Sequence, residues 1–171
     1  MKGCDFAMAL NIVLVEPEIP QNTGNIVRTC AATGTILHLV GPLGFSIEDK
    51  YLKRAGLDYW NDAEIKNYSS LDEFINKYGN NKFYYSTTKA ICNYSDVKFE
   101  DHCFVLFGKE SAGLPEELLK ENKENCIRIP MKEGIRSLNL SNSVAIVVYE
   151  SLRQQNFKNL DMEGHLVKYE W

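Results

Sequence analysis

Ile127 to Glu150, reading IRIPMKEGIRSLNLSNSVAIVVYE, is the stretch that the rest of the chain has to fit around. Cys126-Ile127-Arg128-Ile129 reads as a short β-branched strand, stopped by Pro130, which has no N–H to give a ladder. A polar loop, Lys132 to Asn139, follows and gives way to an almost unbroken apolar run, Val144 to Tyr149. Ser141 and Asn142 are good N-cap types, so the pattern predicts a helix from Ser141 to about Gln155. Val144, Ala145, Ile146, Val147 and Val148 point in every direction around that axis, which predicts a helix buried on all sides. Arg136, Ser137, Asn139 and Asn142 lie just ahead of it, and each polar group needs a partner if it is buried. Two readings stay open at this point: a capped core helix behind a polar loop, or a ligand loop braced by a buried helix.

The chain has 171 residues, of which 44% are hydrophobic, enough for one well-cored domain. Residues 1–9 show no periodicity and read as a leader or extra N-terminal segment, leaving 10–171 as a single domain. No apolar run approaches the roughly 20 residues of a membrane span. Five cysteines, an odd number without CxxC spacing, predict reduced thiols in a cytoplasmic protein. Three scattered histidines argue against a metal site, and His38, inside an apolar strand pattern, reads as a satisfied core or edge histidine. A net charge of −4 argues against a general nucleic-acid coat but not against an enzyme that grips one RNA through a local patch. Lys50, Lys53 and Arg54 cluster, although most such clusters are solvated surface.

Taken in order, Asn11 to Val15 is a buried strand and Glu16 to Pro20 a loop stiffened by two prolines. A helix runs from Asn22 to near Gly34, with Asn22, Asn25, Arg28 and Thr29 on one face and Ile26, Val27, Cys30 and Ala31 on the other. Asparagine is a mediocre helix former, so the polar face suits binding better than plain solvation. Thr35 to Val40 is a strand, Glu48 to Ala55 a short basic helix, and Glu64 to Asn67 a weak strand. Leu71 to Tyr78 is a helix capped by Ser70, Lys82 to Ser86 an aromatic strand and Cys103 to Phe107 a buried one. Pro115 suits the N1 position of a helix from Glu116 to Glu121. This alternation predicts an α/β fold, a mainly parallel sheet with helices on both faces. Ligands bind beyond the carboxyl ends of such strands, where the loops Ser86 to Lys89, Gly108 to Leu114 and Met131 to Ser141 would converge.

Several chemistries drop out. The first strand is not followed by GxGxxG, and Gly108-Lys109-Glu110 lacks the rest of a phosphate-binding P-loop. There is no GxSxG elbow with a histidine to activate its serine. A site made of backbone donors with single Glu, Arg, Ser and Asn side chains suits positioning and electrostatic catalysis.

Four segments carry a family resemblance: Pro20-Gln21-Asn22-Thr23-Gly24-Asn25-Ile26-Val27-Arg28, Arg54-Ala55-Gly56-Leu57-Asp58-Tyr59, Phe107 to Pro115, and Ile129-Pro130-Met131 with Arg136 to Asn142. The chain resembles the SPOUT superfamily of RNA methyltransferases and, within it, the TrmL (YibK-like) group. That group methylates the ribose 2′-oxygen of the wobble nucleotide in tRNA. The similarity runs from about Leu10 to Phe157. It implies a deep trefoil knot in the C-terminal half, an exception to unknotted chains. It also implies a homodimer packed through the helix after the first strand and the C-terminal helix.

The resemblance further implies S-adenosylmethionine as methyl donor, with S-adenosylhomocysteine as product. The donor would be held by Ser86, Thr87, Gly108, Ile129, Met131, Ser137 and Leu138, Gly108 allowing close approach. Arg28 matches the catalytic arginine; because guanidinium barely deprotonates, phosphate anchoring and stabilisation of the developing alkoxide suit it better than base catalysis. Ser137 and Asn139 match residues that orient Arg28 and the ribose. Glu110 would brace the loop, pair with Arg28 or accept the proton. Asn22, Asn25, Arg28, Lys50, Arg54 and Arg136 are the expected RNA contacts, with Tyr51, Tyr59 and Trp60 as stacking candidates. The expected substrate is a cytidine or modified uridine at the wobble position of the tRNA anticodon stem-loop, with leucine tRNAs the expected carriers. The alternatives are another tRNA or rRNA ribose, or a silent RNA-binding module.

Overall fold

The computed structural model describes residues 10–46 and 59–170. The expected N-terminal leader and the expected basic helix Glu48 to Ala55, with Lys50, Tyr51, Lys53 and Arg54, lie outside the described residues. Seven strands form one sheet: β1 (Asn11–Val15), β2 (Ile36–Val40), β3 (Ile65–Tyr68), β4 (Phe83–Ser86), β5 (Cys92–Asn93), β6 (Phe104–Phe107) and β7 (Cys126–Arg128). Their order is β3-β2-β1-β6-β4-β7-β5, with every pairing parallel. The chain lays β1, β2 and β3 outward in one direction and then returns to build the other half. Strand order therefore reverses between β1 and β6, and the carboxyl ends there open a crevice.

Alternation along the strands explains the two-sided core. Ile12 and Leu14 join Ile26, Val27 and Cys30 of α1 (Pro20–Thr33) and Val144, Val147, Val148 and Leu152 of α4 (Leu140–Gln154). Val13 and Val15 face the opposite layer, with Phe74 of α2 (Leu71–Tyr78) and Leu119 of α3 (Glu116–Glu121). Both faces are covered, which is why the strands read as solid apolar runs rather than as alternating ones.

Several boundaries differ from the sequence expectation for definite reasons. α1 begins at Pro20, two residues before Asn22, because a proline without an N–H suits the first turn. It ends at Gly34, whose φ of 71° is the left-handed C-terminal cap. Pro115 sits at the N-cap of α3 rather than at N1. α4 is capped neither by Ser141 nor by Asn142, which lie inside it. Its cap is Asn139, whose Oδ1 accepts from the Ser141 N–H at 2.9 Å and the Asn142 N–H at 3.4 Å. The two-residue β5 sits at the sheet edge in a polar stretch and is too short to show any periodicity.

The all-round burial predicted for α4 does not hold within the single chain. Val144, Val147, Val148, Ser151 and Leu152 are buried, the one stripe that helical spacing allows to face the core. Ala145 and Ile146 are half-buried, and Tyr149 is 49% exposed. No helix among the described residues is long and apolar enough to cross a membrane.

His38 is the core histidine its sequence setting predicted. Its Nδ1 lies 3.0 Å from the Tyr68 hydroxyl and its Nε2 3.0 Å from Asn11 Oδ1, so Nε2 carries the proton and Nδ1 accepts. Burial, with a smaller push from nearby Lys66, lowers its pKa to about 4. The fold thus keeps the imidazole neutral while the unfolded chain takes up a proton near 6.5. Stability is complete above that value and drains away as pH falls to about 4, by about 3 kcal/mol from this group. Denaturant melts of the wild type and His38→Gln between pH 7 and 4 should show a shallower decline in the variant; equal declines would contradict the assignment.

Candidate functional site

The loops after β4, β6 and β7 meet the turn between β1 and α1 in a cleft of about 540 Å³ at the carboxyl ends of the strands. Ser86 and Thr87 enter it from the end of β4, Gly108 and Glu110 from the end of β6. Ile129 and Met131 come from the segment after β7, and Arg136, Ser137, Leu138 and Asn139 from the approach to α4. Every residue expected from the sequence to hold the donor lines this one cleft.

A chain of side-chain hydrogen bonds holds these loops together. Asn139, while capping α4 with its Oδ1, donates from Nδ2 to Asn22 Oδ1 at 2.9 Å across 117 residues of sequence. Asn22 Nδ2 in turn donates to Glu110 Oε1 at 2.8 Å. The Glu110 carboxylate also accepts from the backbone N–H groups of Glu18 at 2.8 Å and Ile19 at 3.3 Å. Ile19 is the N-cap of α1 and offers no side-chain cap, so a carboxylate from a distant loop serves the positive end of that helix. Three oxygen-directed donors occupy Glu110, which makes it a brace. Asn22 is only 6% exposed and turns inward, whereas Asn25 and Arg28 stay exposed on α1. The uniform polar face expected for this helix is therefore split by burial.

The same two loops are laced a second time. Lys109 Nζ meets Glu16 Oε2 at 2.8 Å, and the pairing raises the lysine pKa. Ser111 donates to Glu18 from its hydroxyl and its N–H, both at 2.9 Å, and these bonds hold the Glu18 carboxyl below its ordinary range. Sequence reading missed Glu16, Glu18, Lys109 and Ser111 as bracing groups; nothing in their local pattern points 93 residues along the chain. Ile19, 41% exposed at the cleft edge, was missed for the same reason.

Gly108 is required for a close approach within the chain itself. A Cβ there would lie 2.0 Å from the carbonyl carbon of Gly113 and 2.1 Å from the nitrogen of Leu114. The close neighbour is the chain's own loop, pinned by the Gly113 N–H bonding Lys109 O at 2.8 Å.

Arg28 does not line the cleft of its own chain and contacts neither Glu110, Ser137 nor Asn139. Its guanidinium lies over the Tyr59 ring, 4.7 Å from the centroid, and Nη2 donates to the Tyr59 hydroxyl at 3.2 Å. Arg136 is exposed and donates to Ser111 O at 3.2 Å, bridging two cleft loops. Lys50 and Arg54 lie outside the described residues. Among the described residues no cluster of three or more His, Cys, Asp or Glu side chains is placed to hold a metal ion.

The profile of the SpoU rRNA Methylase family matches residues 9–149. A relative from Listeria innocua, provisionally named tRNA (cytidine(34)-2′-O)-methyltransferase, is 57% identical over 91% of this chain and 94% of its own. One named tRNA (cytidine(34)-2′-O)-methyltransferase, from Methylovorus glucosotrophus, is 47% identical over 86% of this chain and 96% of its own. Among solved structures, one described as giving structural insights into the 2-OH methylation of C/U34 on tRNA superposes with a TM-score of 0.83 at 39% identity, covering 88% of this chain and 98% of that one. An AdoMet-bound rRNA methyltransferase from Sinorhizobium meliloti superposes with a TM-score of 0.75 at 25% identity, covering 85% of this chain and 56% of that one.

Replacing the central amide of the brace should loosen the whole cleft. Asn22→Ala removes two part-buried hydrogen bonds, to Asn139 and to Glu110, at about 1 kcal/mol each, a loss of about 2 kcal/mol. Urea unfolding should show a lower midpoint by that amount, and an unchanged midpoint would remove Asn22 from its bracing role.

Proposed function

The chain belongs to the SpoU rRNA methylase family, and from that premise we propose that it methylates the ribose 2′-oxygen of nucleotide 34 in tRNA, using S-adenosylmethionine. The single observation that carries this is the meeting of the β4, β6 and β7 loops in one braced cleft. The names of two close relatives, and the solved structure concerned with position 34, support the substrate over a ribosomal one. Intact Arg28, Glu110, Ser137 and Asn139 argue against a silent binding module. Leucine tRNAs, presented through the anticodon stem-loop, are the proposed carriers, and the cytoplasm the proposed location.

The cleft fits such a donor. Its volume lies within the roughly 300–1,000 Å³ of small-molecule pockets. Apolar Leu114, Ile129, Leu138 and Leu140 stand beside the hydroxyls of Ser86 and Thr87, a mixed wall suited to a purine, a ribose and a charged amino-acid end. Ser86, Thr87, Gly108, Ile129, Met131, Ser137 and Leu138 would hold the donor. When bound, it supplies a methyl group on a sulfonium and departs as S-adenosylhomocysteine. Glu110 and Asn139 fix the loops that orient the ribose, and exposed Ser137 reaches it from the cleft edge.

Arg28 anchors a phosphate and stabilises the developing alkoxide. Because it lies off the cleft of its own chain, this role requires the cleft of a second copy, which supports a homodimer. The uncovered side of α4, with half-buried Ile146 and exposed Tyr149, supports the same conclusion. A dimer also doubles the positive surface offered by Arg28 and Arg136 on a chain of net charge −4.

Incubating purified protein with S-adenosylmethionine and leucine tRNA, then mapping nucleosides by mass spectrometry, should place one methyl on the ribose of nucleotide 34. Arg28→Ala should abolish that signal while leaving calorimetric binding of the donor within about twofold of wild type, the loss falling on the chemical step. Methylation at another nucleotide, in ribosomal RNA, or at full rate by Arg28→Ala would overturn the assignment.

A further inference from the structure

Arg28 carries a flexible side chain on an exposed helix face, and such a group is a poor catalyst unless something fixes it. Among the described residues one restraint is seen, and it comes from a single residue. Tyr59 lies 31 positions along the chain, next to Trp60, which packs half-buried against the core cluster beneath α1 and α4. The phenol meets the guanidinium in two ways. The ring face takes the cation at 4.7 Å, within the reach of a cation–π contact. The hydroxyl accepts from Nη2 at 3.2 Å. A planar guanidinium held at its central carbon over the ring and at one N–H has less freedom to rotate than a free one. Only one of its five N–H donors is spent on the phenol, and among the described residues the others are left for an anion.

We propose that Tyr59 is a positioning residue for the methyl transfer, setting the plane and direction of the Arg28 guanidinium without itself touching the donor or the ribose. The inference rests on the reading that Arg28 serves the reaction. Of the aromatic residues near the basic stretch that were candidates for stacking on RNA bases, Tyr59 already has its ring face on Arg28.

Single-turnover transfer to saturating tRNA tests this. Tyr59→Ala should slow the step about tenfold, the equivalent of one cation–π contact with its hydrogen bond. Tyr59→Phe, which keeps the ring and loses the hydroxyl, should slow it by about threefold. Donor binding by calorimetry and the melting temperature of the Phe variant should stay at wild-type values. In an Arg28→Lys background, where no planar group remains to be aligned, Tyr59→Ala should add little further loss, so that the double-mutant cycle is strongly non-additive. Independently of activity, the Arg28 Nε–H resonance should carry a ring-current shift in the wild type and lose it in Tyr59→Leu.

A wild-type rate for Tyr59→Ala, full additivity with Arg28→Lys, or a rise in the KM for tRNA at unchanged kcat would overturn the inference, the last by assigning the ring to RNA. The two layers fail differently. If Arg28→Ala itself transfers normally, the functional reading falls; if transfer depends on Arg28 but ignores Tyr59, only the positioning role does.

Discussion

An amide–amide–carboxylate chain, from Asn139 through Asn22 to Glu110, is the constraint on which the cleft depends. It joins the start of α4 to the start of α1 and to the loop after β6. Each member satisfies the next, and the end members discharge onto backbone N–H groups at helix starts. Asn22 at its centre is buried while Glu110 is half-buried and Asn139 exposed, so the middle member is the one that must stay paired, because an unpaired polar group is penalised most where water is excluded. Local propensity alone would leave these three loops independent of one another.

The sheet supplies what the network needs. Strands buried on both faces leave little freedom in the positions of their ends, and the reversal of strand order between β1 and β6 separates the loops enough to admit a ligand. Function then resides in loops on a rigid scaffold. The Gly108 crossing shows how tightly the wall is made: backbone packs on backbone where any side chain would collide. Among the described residues no cysteine or histidine lines the cleft, and the bracing of Glu110 by three donors suits a fixed wall rather than a proton carrier.

Much of this was legible in the sequence, and the exceptions have physical causes. Apolar runs such as Asn11–Val15 and Phe104–Phe107 announce buried parallel strands because both faces need apolar cover. The three polar loops could be assigned to one cleft from alternation and the strand-end rule. The inward turn of Asn22 was not legible, since helical periodicity ranks faces by polarity and its partners lie 88 and 117 residues away. The cap of α4 was misread by two residues because Asn139, Ser141 and Asn142 are all capping types and only geometry chooses among them. For α4, the apolar run marks surfaces to be covered without saying which are covered by its own chain. The family resemblance named Arg28, but its distance from its own cleft is a property of the folded chain.

The central claim, that the strand-end loops form one donor cleft held by Asn22, is tested most directly by a crystal structure of the protein with S-adenosylhomocysteine. The account predicts the ligand between Thr87, Gly108, Met131 and Leu138, with the Asn139–Asn22–Glu110 chain unbroken beside it. A ligand bound elsewhere, or bound there with those three side chains apart, would contradict it.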